Sequence, residues 1–434
     1  MAGTVGAMTG TLWWWLLAGL FVVSALRHST SLFLLALLLS AASLASLLWS
    51  RYALAQVQFR RHLGQDRLAF AEETDLVVDI YNAKPLPVPW LLASDEYPEG
   101  LTLLTGKLGM SSETAFRRAL INLVSLRWYE RVRRTYRVRG DKRGVYQFGP
   151  AELEAGDIFG LRRQRKTVAT TDTLLVYPKI VPIEELGLPA ARPVGELATK
   201  TRLIEDPLRY LAVRPYRPGD SLRHIHWRAT ARSQKAWPAE LYTRSFEASS
   251  SQVLELLVDV QTADNPYSIV PAYLEFIISA AASIAVAALQ DGYAVGLLAN
   301  AGASSNASGG GRYGPTVVPA GRSPAQAVTL LEALADLSNF RLLPAAQLLE
   351  RTGAHSTGHD GLPLGATLLA LTAQPANSEG FAQLQEALLS LQDQGHPVAL
   401  LAAGDEAPTA SDQIPTYYLG GEDAWQKLAG LELA

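Results

Sequence analysis

Residues 214–232 carry the densest set of chemically capable side chains in the sequence: Arg214, Tyr216, Arg217, Gly219, Asp220, Arg223, His224, His226, Trp227, Arg228 and Arg232. His224 and His226 are two apart, so on a strand they share a face and could offer two imidazole nitrogens to a metal. Zn²⁺ asks for at least three protein ligands, and Asp220 is the only third group nearby. The same residues allow a rival, enzymatic reading, with Asp220 and either histidine as an acid/base pair acting on cell-envelope material. No nucleophile elbow, cofactor motif or complete metal set accompanies them, so the leading expectation is structural. Residues 218–220 form a turn, Trp227 anchors in a core, and the segment clasps one domain to the next. The arginines are denser than a solvated face needs; they pair with Glu205, Asp206 and Glu240, or face an acidic partner.

A second basic stretch holds Arg127, Arg131, Arg133, Arg134, Arg137, Arg139, Lys142 and Arg143, with Trp128, Tyr129, Tyr136 and Tyr146 interleaved. Such composition can grip single-stranded nucleic acid. It also describes an exposed strand face near anionic lipid, and the formal net charge of -3 provides no global attraction to nucleic acid. The expectation is a solvated or lipid-facing sheet and no nucleic acid. The chain has 0 cysteines, which excludes disulfides, thiolate metal sites and cysteine catalysis. The glycines at 309–311 are not a phosphate loop, since no Gly-Lys-Ser/Thr follows.

These groups need elements to position them. Residues 12–26 and 31–49 are apolar, and the polar break Arg27-His28-Ser29-Thr30 is long enough to turn the chain. Each stretch approaches the ~20 residues of a bilayer span, so the two predict a transmembrane hairpin. Trp13, Trp14, Trp15 and Trp49 fall at ends that share one interface. Arg51, Arg60, Arg61 and Arg67 follow the second span, which predicts a cytoplasmic soluble region at the cell membrane. Residues 69–81 and 129–138 read as strands, the latter alternating arginine with Val132, Tyr136 and Val138. Gly and Pro punctuation between such strands suggests a small antiparallel sandwich. From Leu254 onward, strands at 254–258, 293–298, 366–371 and 398–401 alternate with helices at 267–289, 323–337 and 381–394. That order implies a mainly parallel sheet covered on both faces.

Three motifs in this chain resemble a known pattern. Asp141-Lys-Arg143-Gly144-Val-Tyr146-Gln-Phe148-Gly149-Pro150, followed by Asp157-Ile-Phe159-Gly160-Leu161, resembles RGxYxxGP…DPFGL. Val176-Tyr177-Pro178 continues it, and residues 214–232 resemble RxYxPGDxxRxIxWKxxAR. Together they resemble the bacterial family known as domain of unknown function fifty-eight. The resemblance implies a two-helix membrane anchor, a β-sandwich and a von Willebrand factor A-like α/β domain. It also implies a MoxR-type AAA+ ATPase and transglutaminase-like membrane proteins as partners, alongside the lipid bilayer. Such α/β domains often hold a divalent cation through D-x-S-x-S, a threonine and a further acid. Here the matching run is Asp259-Val260-Gln261-Thr262-Ala263, and Gln374 stands where the distal acid is expected. Asp259, Gln261 and Thr262 are the remaining candidate ligands, too weakly charged to dehydrate Mg²⁺. No cofactor is expected, with Mg²⁺ held weakly or not at all.

The sequence thus predicts an α+β multidomain chain: a transmembrane helical hairpin over 1–55, an antiparallel β-sandwich over 56–175, a connector with the arginine-tryptophan motif over 176–250, and a von Willebrand A-like α/β domain over 251–434. Its expected role is a non-enzymatic, membrane-anchored interaction scaffold.

Overall fold

The computed structural model describes residues 2–110, 118–157, 162–186, 204–217, 225–233, 241–249, 253–265, 268–304, 314–352, 362–363, 365–408 and 413–429; of 2–13, 204–212, 233, 245–249 and 429 it describes the backbone alone. The protein is a mixed α+β chain of many sheets, folded as two compact units: residues 1–142 with 146–175, and residues 143–145 with 176–434.

The first unit opens with two antiparallel helices, Ala2–Leu26 and Thr30–Ala53. Ser29 caps the second, its hydroxyl accepting from the Leu32 amide, and His28 turns the chain at φ +48°. Helix Thr30–Ala53 is long and apolar enough to cross a membrane, and Trp14–Leu26 is a shorter apolar stretch. Phe33, Leu34, Leu35, Leu37, Leu38, Leu44 and Leu48 point outward, while Ala36, Ser43, Ser46 and Ser50 are buried. This inverts the pattern of a soluble helix, whose apolar stripe faces inward.

After the hairpin come two sheets with antiparallel pairing. One sheet runs Val57–Leu63, Glu73–Asn82, Arg131–Gly140, Leu101–Leu103; another runs Arg163–Val168, Ala151–Gly156, Val88–Glu96, Arg118–Leu126, Leu108–Met110. The period of two along Val57–Leu63 puts Val57, Phe59 and Arg61 inside, with Gln58, Arg60 and His62 outside. Arg61 is therefore not one of the surface charges counted for membrane orientation. It pairs with Asp95 at 2.5 Å and Asp172 at 2.8 Å, and donates to the carbonyls of Phe148 and Thr170 at 3.0 Å. Gly149, at φ +84°, gives it room: a Cβ there would lie 2.9 Å from Arg61 Nη2. The arginine strand has the expected exposed outer face, but its charges are compensated. Arg131 and Arg133 reach Asp79 across the strand pair, and Arg137 reaches Glu73.

In the second unit, a six-stranded sheet runs Thr316–Gly321, Ala294–Ala299, Val253–Val258, Thr367–Thr372, Val398–Ala403, Thr416–Gly420. All neighbours are parallel except the edge strand Thr316–Gly321, which sequence reading missed. Three of the strands are buried at every residue, as continuous apolar runs covered on both faces must be. One face, through Leu254, Leu256 and Val258, packs on helix Pro271–Gln290; the other, through Leu257, Leu368 and Leu400, packs on Ala345–Thr352 and Glu379–Asp393. Helix Pro271–Gln290 also passes the length and hydropathy test for a membrane span. Its side chains Phe276, Ile277, Ile278 and Ile284 are nevertheless sealed in this core, unlike the outward leucines of Thr30–Ala53. A separate two-stranded ribbon, Ile204–Pro215 with Tyr242–Ser249, and the helix Trp227–Ser233 occupy much of the stretch expected to be a connector.

Candidate functional site

The motif around Trp227 is built on that ribbon. Ile225 bridges to Thr243 and is buried, and the Tyr216 amide donates to the Leu241 carbonyl at 2.7 Å. Two residues after Ile225 the helix Trp227–Ser233 starts, and the strand does not continue. His226 Nδ1 accepts from the Ala229 amide at 3.0 Å, which caps the helix and commits one of its two ring nitrogens. Thr230 Oγ1 accepts from the Tyr242 amide and holds the helix to the ribbon. Gly219, Asp220, Arg223 and His224 lie outside the described residues, as do the side chains of Glu205, Asp206 and Glu240.

Trp227 overturns its sequence expectation. It is 68 % exposed, not a core anchor, and the exposed Arg228 and Arg232 extend from the same short helix. The reason is geometric. The helix begins at Trp227, so a residue two after buried Ile225 no longer shares its face as it would on a strand. Exposed Leu241 lies nearby on the chain leading into the ribbon, and Arg244 is exposed on it. Arg214 is half-buried and donates to the Pro215 carbonyl. The result is an indole in solvent among guanidinium groups, a composition typical of interface hot spots.

The second candidate lies where the sheet order reverses, at the carboxyl ends of Val253–Val258 and Thr367–Thr372, the usual ligand crevice of open α/β sheets. Asp259 follows the first strand and is fully buried. Its Oδ1 accepts from the Gln261 amide at 3.1 Å and Asn300 Nδ2 at 2.7 Å; its Oδ2 accepts from Thr372 Oγ1 at 2.9 Å and Gln374 Nε2 at 2.5 Å. Burial pushes the Asp259 carboxyl pKa up, against four hydrogen bonds that favour the ionised form. Gln261 Oε1 accepts from the Arg341 guanidinium, and Thr262 Oγ1 accepts from the Val270 amide at 2.7 Å. A hard cation needs free oxygen lone pairs in octahedral array. Here amide, hydroxyl and guanidinium donors occupy the candidate oxygens, so this donor set does not fit Mg²⁺. Sequence reading found Asp259, Gln261, Thr262 and Gln374; it missed Asn300, Thr372 and Arg341, whose partnership exists only across the sheet.

The sequence profile of the family described as "Protein of unknown function DUF58" matches residues 212–336, from the ribbon to the end of helix Pro324–Ala335. The uncharacterized protein YeaD of Bacillus subtilis (strain 168) is 25 % identical over 255 residues, 57 % of this chain and 56 % of that protein. The chain thus spans little more than half the length of this relative. Among solved structures, Salmonella alpha-2-macroglobulin is similar over 31 % of this chain and 9 % of its own, with 19 % identity and a TM-score of 0.21. A cohesin module of a Clostridium perfringens family 33 glycoside hydrolase covers 28 % of this chain and 96 % of its own, with 10 % identity and a TM-score of 0.19. Both likenesses are too slight to assign a fold. The family profile thus covers the second half of the ribbon, Trp227 and the first three strands of the six-stranded sheet in chain order.

Proposed function

We propose that this protein is a membrane-anchored interaction scaffold that presents the Trp227 surface to an acidic partner. The observation that carries the reading is the exposure of Trp227 beside Arg228 and Arg232. A solvent-exposed indole gains little for the fold, whereas burying it in a partner while arginines meet carboxylates releases both apolar and electrostatic free energy. In this reading helix Thr30–Ala53 and its antiparallel mate span the bilayer. The antiparallel sheets form a β-sandwich, and the six-stranded sheet with its reversed edge strand is a von Willebrand A-like domain. The soluble region is cytoplasmic, and a MoxR-type AAA+ ATPase and transglutaminase-like membrane proteins are the partners first to be tried. Asp259 then serves the architecture of the sheet crevice and not a metal. The enzymatic alternative is the weaker reading, because no nucleophile elbow or cofactor motif accompanies His226 in the sequence.

The test is site-specific photo-crosslinking from position 227 in membranes of the host, followed by mass spectrometry. A discrete adduct that disappears on Arg228→Glu with Arg232→Glu supports the reading. No adduct above that of a crosslinker at exposed Val317 overturns it.

A further inference from the structure

The link between the strands Arg118–Leu126 and Arg131–Gly140 carries two large aromatic side chains in solvent: Trp128 is 68 % exposed and Tyr129 is 60 % exposed. Nothing in the packing of the sheet asks for them. Tyr129 also sits at φ +55°, a left-handed conformation that a bulky residue adopts only under constraint. The constraint is visible. Glu130 Oε2 accepts from the Arg127 amide at 2.6 Å, and Asn82 Nδ2 donates to the Arg127 carbonyl at 2.8 Å. The turn is thus held rigidly in a costly shape that keeps its aromatics outside.

Its location is equally specific. Lys84, itself buried, donates through Nζ to the Ala53 carbonyl at the end of helix Thr30–Ala53, 2.7 Å away, while its own carbonyl accepts from the Tyr129 amide at 3.3 Å. The Ala83 amide donates to the Gln56 carbonyl just beyond the helix. One lysine therefore ties the aromatic turn to the end of the hairpin. From Trp49 to Ala53 the helix rises only ~6 Å, about the thickness of one headgroup layer. Arg51 and Tyr52 are exposed on the last turn of that helix, and Arg127 is exposed beside Trp128. Leu123, also exposed, points outward on the strand leading into the turn.

We propose that residues 127–130 form a second membrane contact, with Trp128 and Tyr129 lying in the headgroup layer of the bilayer that holds the hairpin and Arg51 and Arg127 meeting anionic lipid phosphates. This rests on the hairpin spanning a bilayer. Indole and phenol rings favour that depth because their apolar bodies leave water while their polar edges keep hydrogen bonds. Each basic residue near an anionic surface adds to the attraction. The contact adds a second seat beside the hairpin, so the sheets keep one orientation to the membrane.

The chain lacks cysteine, which makes single labels unambiguous. The full chain is reconstituted in vesicles of phosphatidylcholine, alone or with phosphatidylglycerol, with an environment-sensitive fluorophore at Trp128→Cys, Leu38→Cys or Met110→Cys. Met110 is exposed at the far end of the same sheet, where it pairs with Arg118, some ~26 Å along the strand from Leu126. Lipids spin-labelled at the headgroup should quench the probe at 128 at least about twofold more than the probe at 110. Adding Arg127→Glu should reduce that quenching in phosphatidylglycerol vesicles. Quenching at 128 no greater than at 110, with the probe at 38 shielded by lipid, overturns the second contact and leaves the hairpin intact. A probe at 38 open to aqueous quencher overturns the membrane reading and this inference together.

Discussion

Glu255 sits on the central strand Val253–Val258 of the second unit, buried, with no hydrogen-bond partner and no counter-charge among the described residues. Gly296 on the neighbouring strand makes the space: a Cβ there would lie 2.2 Å from Glu255 Oε2. Desolvation raises the carboxyl from 4.5 to about 7. The folded state therefore holds the proton more tightly than the unfolded chain. Stability is fully present below the unfolded value near 4.5 and falls as pH rises towards 7, because the ionised group must then stay buried or be protonated at a cost. At ~1.4 kcal/mol per unit, the whole shift corresponds to about 3 kcal/mol between pH 4 and pH 8, an upper bound for a site that water partly reaches. Glu255→Gln preserves shape and removes the titration. The assay is native-state hydrogen exchange of the amides in Val253–Val258, on the full chain in detergent, corrected for intrinsic rates. The opening free energy of the wild type should decline across this range, while that of Glu255→Gln stays level and exceeds wild type at pH 8. Parallel pH profiles for the two proteins, or a glutamine variant weaker at pH 8, refute the reasoning.

Arg61→Met should destabilise the first unit by about 3–5 kcal/mol, since it leaves Asp95 as an unpaired buried charge; denaturant unfolding measures it, and a loss below about 1 kcal/mol contradicts the buried pair. Adding Asp95→Asn to that variant should recover part of the loss. Trp227→Ala should lower the unfolding free energy by less than about 1 kcal/mol, as a surface change does, while abolishing partner capture. Calorimetry with Mg²⁺ or Mn²⁺ at millimolar concentration should show no saturable heat; micromolar affinity would mean that the donors around Asp259 give way to a cation. Thr372→Val and Asn300→Leu should each cost ~1–3 kcal/mol, because each removes a donor from a buried carboxylate.

Some of this protein is legible in the sequence because the signals are local. The apolar lengths of the hairpin and its polar break depend only on neighbouring residues. The same holds for the apolar runs that became Thr367–Thr372 and Val398–Ala403. Period and length report which faces are covered without reference to distant parts of the chain. Other features were decided by tertiary structure. Thr316–Gly321 pairs antiparallel with Ala294–Ala299 at the sheet edge, and its partly exposed residues carry no continuous apolar run. Arg61 was counted as a surface charge because arginine seldom goes inside; Asp95 and Asp172, distant in sequence, make its burial tolerable. Trp227 was placed in a core because tryptophan usually goes there, and one helix start turned it outward. Asp259 could be singled out as a candidate ligand, but what fills its lone pairs comes from its own loop and from two distant segments, at Asn300 and at Thr372 with Gln374. A residue's type sets what it can bond to; only the fold decides which partners come within 3 Å, and that proximity determines whether a charge is a site, a strut or a surface.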